Sequence, residues 1–124
     1  MPKPPGFTIY ANSTEVKRDT AEDADIEAGD PVTANDDEEV EVAGEGDDLT
    51  GVAGNDTLRE DNERVVIDGA VIASVAPDTP AGVDLAPGAD GLEEGDGSAH
   101  SLSEEGGEYK GADIEDGFAA VSVN

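Results

Sequence analysis

The sequence predicts an all-β protein, a small β-barrel or sandwich of short strands with an extended N-terminal arm. Three observations lead there. Val supplies 12 of the 24 Leu, Ile, Val and Phe residues, and a β-branched side chain suits a pleated sheet better than a helix. Sixteen glycines and seven prolines break the chain too often for long helices. Short apolar runs recur between those breaks at roughly ten-residue spacing, as in small sandwiches and barrels.

The arm comes first. Residues 1–18 hold Lys3, Lys17 and Arg18 against Glu15, a net charge of +2, whereas residues 19–124 hold three cations and 31 acids, a net of −28. Pro2, Pro4 and Pro5 favour extended backbone. Phe7-Thr8-Ile9-Tyr10 is a short apolar run containing half of the four aromatic residues. The segment reads as an arm that docks on a partner, and equally as a strand of the domain's own sheet. The arm extends to residue 27, and the β domain occupies 28–124. Val16 to Glu27 has some helical character but no convincing apolar face.

Within the domain, Glu39-Val40-Glu41-Val42 alternates acidic and apolar residues with the period of a half-buried strand. Leu49 to Val52 is a second strand. Glu63 to Val75 reads as a hairpin, because two β-branched runs flank Asp68-Gly69, a pair suited to a two-residue turn with both φ positive. Val83 to Leu85 and Ala119 to Val123 complete the strands, with polar and Gly/Pro segments between them. A core of Ala, Val and Ile is thin, at roughly 1.5–3 kcal/mol for each larger side chain buried. Such a domain gains from oligomerisation or docking.

Charge narrows the function. With 32 acidic and six basic residues in 124, the formal net charge is −26. Repulsion from phosphate argues against nucleic acid and anionic membrane as partners. Leu, Ile, Val and Phe make up only 19% of the chain, a level typical of disordered chains, and the bias towards Val opposes that reading. The excess of acid with little Lys resembles proteins of extreme halophiles. At about 1 M salt the Debye length is only about 3 Å, so most self-repulsion is screened. No apolar run reaches the roughly 18 residues of a membrane span, and the N-terminus shows no secretory signal. There is no Cys, which excludes disulfides and thiol chemistry.

Chemical motifs are scarce, and the expectation is a protein that is not an enzyme, with no catalytic residues, no cofactor and no dedicated metal site. The single histidine, His100, lies in the small polar run Gly97-Ser98-Ala99-His100-Ser101 and reads as a solvated side chain. Residues 44–58 look like a calcium-binding nonapeptide roll, but the repeat spacing is eight, the glycine pair is broken at Val52-Ala53, and the pattern does not recur. Asp36-Asp37-Glu38-Glu39 and Asp47-Asp48 are carboxylate runs open to hard cations, although a solvated acidic loop explains them equally well. Asn12-Ser13-Thr14 fits a glycosylation sequon by chance frequency.

The order of elements resembles the small β-rich head decoration (cement) proteins of tailed viruses. The stretch that carries the likeness begins with Ala28-Gly29-Asp30-Pro31-Val32 and Leu49-Thr50-Gly51-Val52-Ala53. It continues through Glu63 to Val75, Ala81-Gly82-Val83-Asp84-Leu85 and Gly117-Phe118-Ala119-Ala120-Val121-Ser122-Val123. The resemblance implies a structural virion protein on the outer capsid surface, often trimeric, that binds the major capsid protein and reinforces the shell. With this composition the virus would infect halophilic archaea. Phe7, Ile9 and Tyr10 would then supply apolar docking contacts, and Lys17 and Arg18 would pair with shell carboxylates. The alternatives are another virion surface component (turret, spike or tail) and a free-standing haloarchaeal β-barrel binding module.

Overall fold

Thirteen consecutive residues, Asn62–Ser74, form one strand in a computed structural model of the chain, which describes residues 14–22, 25–54 and 62–123. This strand is β5. Before it come β1 (Thr14–Asp19), β2 (Pro31–Ala34), β3 (Val40–Val42) and β4 (Gly51–Ala53). After it come β6 (Asp84–Gly88), β7 (Gly91–Glu94), β8 (Ala99–Ser101), β9 (Glu108–Tyr109), β10 (Ala112–Asp113) and β11 (Phe118–Val123). The fold is all-β and no helix occurs among the described residues, in agreement with the glycine and proline punctuation. A nine-stranded antiparallel sheet runs β3-β2-β4-β5-β11-β8-β6-β7, with β1 also on β5. It does not close into a barrel.

The expected hairpin at Asp68-Gly69 is therefore corrected to a bend within one strand. Gly69 does adopt a positive φ of 103°, but Asp68 does not, and a two-residue turn of that type needs both. Each half of β5 has its own partners instead. Residues 62–68 pair with β1, and Val65 and Val66 pair with β4, while residues 69–74 pair with β11. The register against β1 shifts by one residue at Ile67, since Thr14 faces Asp68 and Glu15 faces Val66. This bulge and the glycine after it reset the pleat. Val66 faces the same cluster as Val71, Ala73 and Val75, an odd separation that a regular strand cannot give.

The two halves each turn back on themselves. In the first, Thr20 bridges Val40, with Ala21 N–H donating to Val40 O at 2.9 Å, so that the chain leaving β1 reaches β3. In the second, Val75 bridges Leu92, with Ala76 N–H donating to Leu92 O at 2.8 Å, so that the end of β5 reaches β7. Val32, Val40, Ala53 and Val65 fill the first half, with Val16, Ile26 and Ile67 against them. Leu85, Leu92, Ala99, Ala119, Val121 and Val123 fill the second with Val71, Ala73 and Val75, and Val52 joins Val66 in reaching it. The outer face of the second half carries Ile72 and Ala120, covered by Ile114, Leu102, Tyr109 and Phe118 around the β9–β10 hairpin.

Gly29 ties the halves together. Its N–H donates to Ala53 O and its carbonyl accepts from Ser74 N–H, both at 2.8 Å, and Ala53 N–H donates to Asp30 O at 2.9 Å. Gly29 is buried with φ 92°, a conformation that other residues rarely adopt. The Gly-Asp-Pro-Val run thus supplies a corner and then β2.

Gly69→Ala should lower stability by about 1–3 kcal/mol, the usual cost of forcing a non-glycine residue into this backbone region. Denaturant unfolding at constant salt should show the loss as one cooperative transition, because both cores share β5.

Candidate functional site

Three of the six Lys and Arg residues lie on one strand pair. The register places Lys17 opposite Arg64 and Arg18 opposite Glu63. The side chains of Lys17 and Arg18 are exposed, while Val16 between Glu15 and Lys17 packs against the first core. Along Thr14–Asp19 the two cations balance Glu15 and Asp19, so the strand is neutral on a chain of net charge −26. Among the described residues, no strand pairs with the second edge of β1 over this stretch. Just past Asp19 that side meets β3, where Thr20 bridges Val40.

Residues 14–19 are thus a strand of the domain's sheet as well as part of the charged N-terminal segment. Phe7, Ile9 and Tyr10 lie outside the described residues. Arg64 escaped the sequence reading, because a lone Arg at the start of an apolar run gives no sign of which strand it will oppose.

The other chemistry-bearing residues are dispersed. His100 is on β8 rather than in a loop, and its Nδ1 lies 3.2 Å from Asp84 Oδ1 on β6, with both side chains exposed. The neighbouring Ser101 directs its hydroxyl to Pro80 O at 2.7 Å and accepts Val83 N–H at 3.1 Å, which fixes a loop. In the β2–β3 turn, Asn35 Oδ1 accepts the N–H groups of Asp37 and Glu39 at 2.9 and 3.0 Å. Asp47 closes its own turn by accepting Gly44 N–H at 2.8 Å. A shallow depression of about 400 Å³ between Asp47, Asp48, Pro87, Asp96 and Ser98 is lined by carboxylates. Among the described residues no group of three or more His, Cys, Asp or Glu side chains could hold a metal ion.

Two carboxylates have clear shifts. Burial is the main cause that raises Asp30 above its ordinary value of 3.8, partly offset by the N–H of Glu27, which it accepts at 2.9 Å. Glu105 is shifted down from 4.5 because Oε2 accepts Gly117 N–H at 2.6 Å and Oε1 accepts Asp78 N–H at 3.1 Å. It clamps the loop after β5 to the turn before β11.

Compared with known protein families, curated proteins and solved structures, the chain has no match. The described residues therefore define a class only by surface, a small acidic β domain with one charge-balanced strand.

The Glu105 clamp makes a pH prediction. Its folded-state pKa is depressed, so its stabilisation is complete above 4.5 and is lost as pH falls through the lowered value. Glu105→Gln keeps one acceptor oxygen and loses the other. Thermal melts should show a lower Tm than the parent at neutral pH, with the gap narrowing in acid.

Proposed function

We propose that this protein is a structural surface component of a virus particle, a decoration protein that binds the outer face of a capsid and reinforces it. The observation that carries the reading is the segregation of charge. In sequence the first 18 residues carry a net charge of +2, and the described strand β1 is neutral, on an otherwise strongly acidic chain, the polarity needed to approach an acidic shell. The likeness in element order to head decoration proteins supplies the capsid as partner. Lys17 and Arg18, exposed on a strand fixed to the core, are the described residues that meet shell carboxylates. Phe7, Ile9 and Tyr10 precede that strand in sequence and would add apolar contact.

A free-standing binding module would need a concave site. Among the described residues, the depressions bounded by Asp84, Glu94 and Asp96, or by Asp47, Asp48 and Asp96, are open and acidic, and they favour that reading less.

The test is cosedimentation with empty shells of the parent virus in about 3 M salt, where charge screening is nearly complete. Removing residues 1–18 would delete most of β1 and confuse docking with folding, so the cut belongs before Thr14. Saturable binding in hundreds of copies is expected for the parent. Deletion of residues 1–13 combined with Lys17→Glu and Arg18→Glu should lower shell affinity at least about tenfold, or roughly 1.4 kcal/mol, with the strand signal in circular dichroism unchanged. Undiminished binding by that variant would refute the docking assignment.

A further inference from the structure

The β9–β10 hairpin is a two-stranded sheet of its own, with no strand pairing to the nine-stranded sheet among the described residues. It lies over the outer face of the second half, where Ile114 is buried against Ile72 and Ala120 and Tyr109 packs beside them. An isolated two-stranded hairpin is marginally stable at best, so this one depends on that packing. Glycines flank it at both ends. Gly106, with φ 69°, and Gly107 lead in, and Gly117, with φ 90°, leads out. Gly106 N–H donates to Phe118 O at 2.9 Å, and Glu105 Oε2 accepts Gly117 N–H at 2.6 Å, so the segment is gathered at its base.

The pairing inside the hairpin sets like charges together. Tyr109 faces Ala112, and Glu108 faces Asp113. Ile114 N–H donates to Gly107 O at 2.9 Å, which makes Gly107 and Ile114 a hydrogen-bonded pair. Opposed residues alternate between hydrogen-bonded and non-hydrogen-bonded positions, so Glu108 and Asp113 occupy the latter, where side chains come closest. Both side chains are exposed. Like charges directly opposite weaken a strand pair. Their surroundings add to the effect, because residues 104–116 hold six acids and one cation, a net charge of −5. That cation, Lys110, has its ammonium 5.5 Å from the centre of the Tyr109 ring.

We propose that the β9–β10 hairpin is a salt-gated cover. In concentrated salt it closes over Ile72 and Ala120. As salt falls, repulsion between Glu108 and Asp113 drives it outward about Gly106-Gly107 and Gly117, and the apolar face beneath is bared. The distances fit such a gate. Opposed side chains stand about 5 Å apart at Cβ, beyond the Debye length of about 3 Å at 1 M salt and well inside the 10 Å or so at 0.1 M. The main sheet does not have to change, since β11 keeps β5 on one side and β8 on the other. The opening is thus a local event below global unfolding. The inference does not rest on capsid binding, because it is read on the free protein.

Amide exchange of the full chain at about 0.1 M and about 1 M salt tests the proposal. The Ile114 amide should exchange faster than the amides of the β5–β11 ladder in both, and about threefold faster in dilute than in concentrated salt. Glu108→Lys turns the repulsive pair into an attractive one and should abolish or reverse that salt dependence, with the ladder amides unchanged. A neutral apolar dye should bind the parent more than this variant at about 0.1 M salt. Ile114 exchanging in step with the β5–β11 ladder, an Ile114 rate indifferent to salt, a Glu108→Lys variant with the parent's salt dependence, or equal dye binding by the two would each overturn the assignment.

Discussion

Everything in this fold depends on β5 changing its inward face at Ile67 to Gly69. A single strand supplies side chains to two cores that need opposite pleats, Val65 to one and Val71 and Ala73 to the other. A regular strand alternates without interruption and would present Asp68 and Ala70 where Val71 and Ala73 now pack. The bulge adds one residue, and Gly69 provides the backbone freedom to complete the turn of the sheet. Gly29 then binds the far end of β5 to β4, so the bend has a fixed angle rather than a range of them.

The thinness of the cores follows from the same arrangement. Each half is enclosed by short strands that return through a single bridged residue, leaving room for Val and Ala but for few larger side chains. Val42, 42% exposed at the end of β3, shows where the enclosure stops and why Glu39–Val42 alternates in sequence without being half-buried along its length. With so little interior, the loops are held by polar bonds. Glu105, Ser101 and Ser103 each bridge backbone groups distant in sequence, Ser103 by accepting Ala120 N–H at 3.0 Å.

The sequence made the fold class, β3, β4, β6 and β11 legible to within a few residues, because β-branched clusters bounded by Gly and Pro report strand content directly. The turn chemistry misled at one point. Asp68-Gly69 has the composition of a tight hairpin and is a bend, whereas Lys110-Gly111, with φ of 50° and 82°, forms the two-residue hairpin between Tyr109 and Ala112. Local preference for positive φ is stronger at Asp-Gly than at Lys-Gly, so the difference lies in the partners available to the flanking residues. β7 and β8 were missed because Gly, Glu and Ser dominate them, and their pairing with β6 stabilises what propensity does not. For the candidate site, Lys17 and Arg18 were visible as charges, but the apposition of Lys17 and Arg64 is a property of register that one sequence does not contain.

The registers at the bend have a consequence for how the chain can be cut and joined. Thr14 faces Asp68 and Val123 faces Gly69, so the first and last residues of the strands sit beside adjacent positions of β5, within roughly 10 Å of each other. Thr14 and Val123 thus lie at one corner of the described domain. A few glycines could link Val123 to Thr14, and new ends could be opened at an exposed turn such as Lys110-Gly111 without breaking either core.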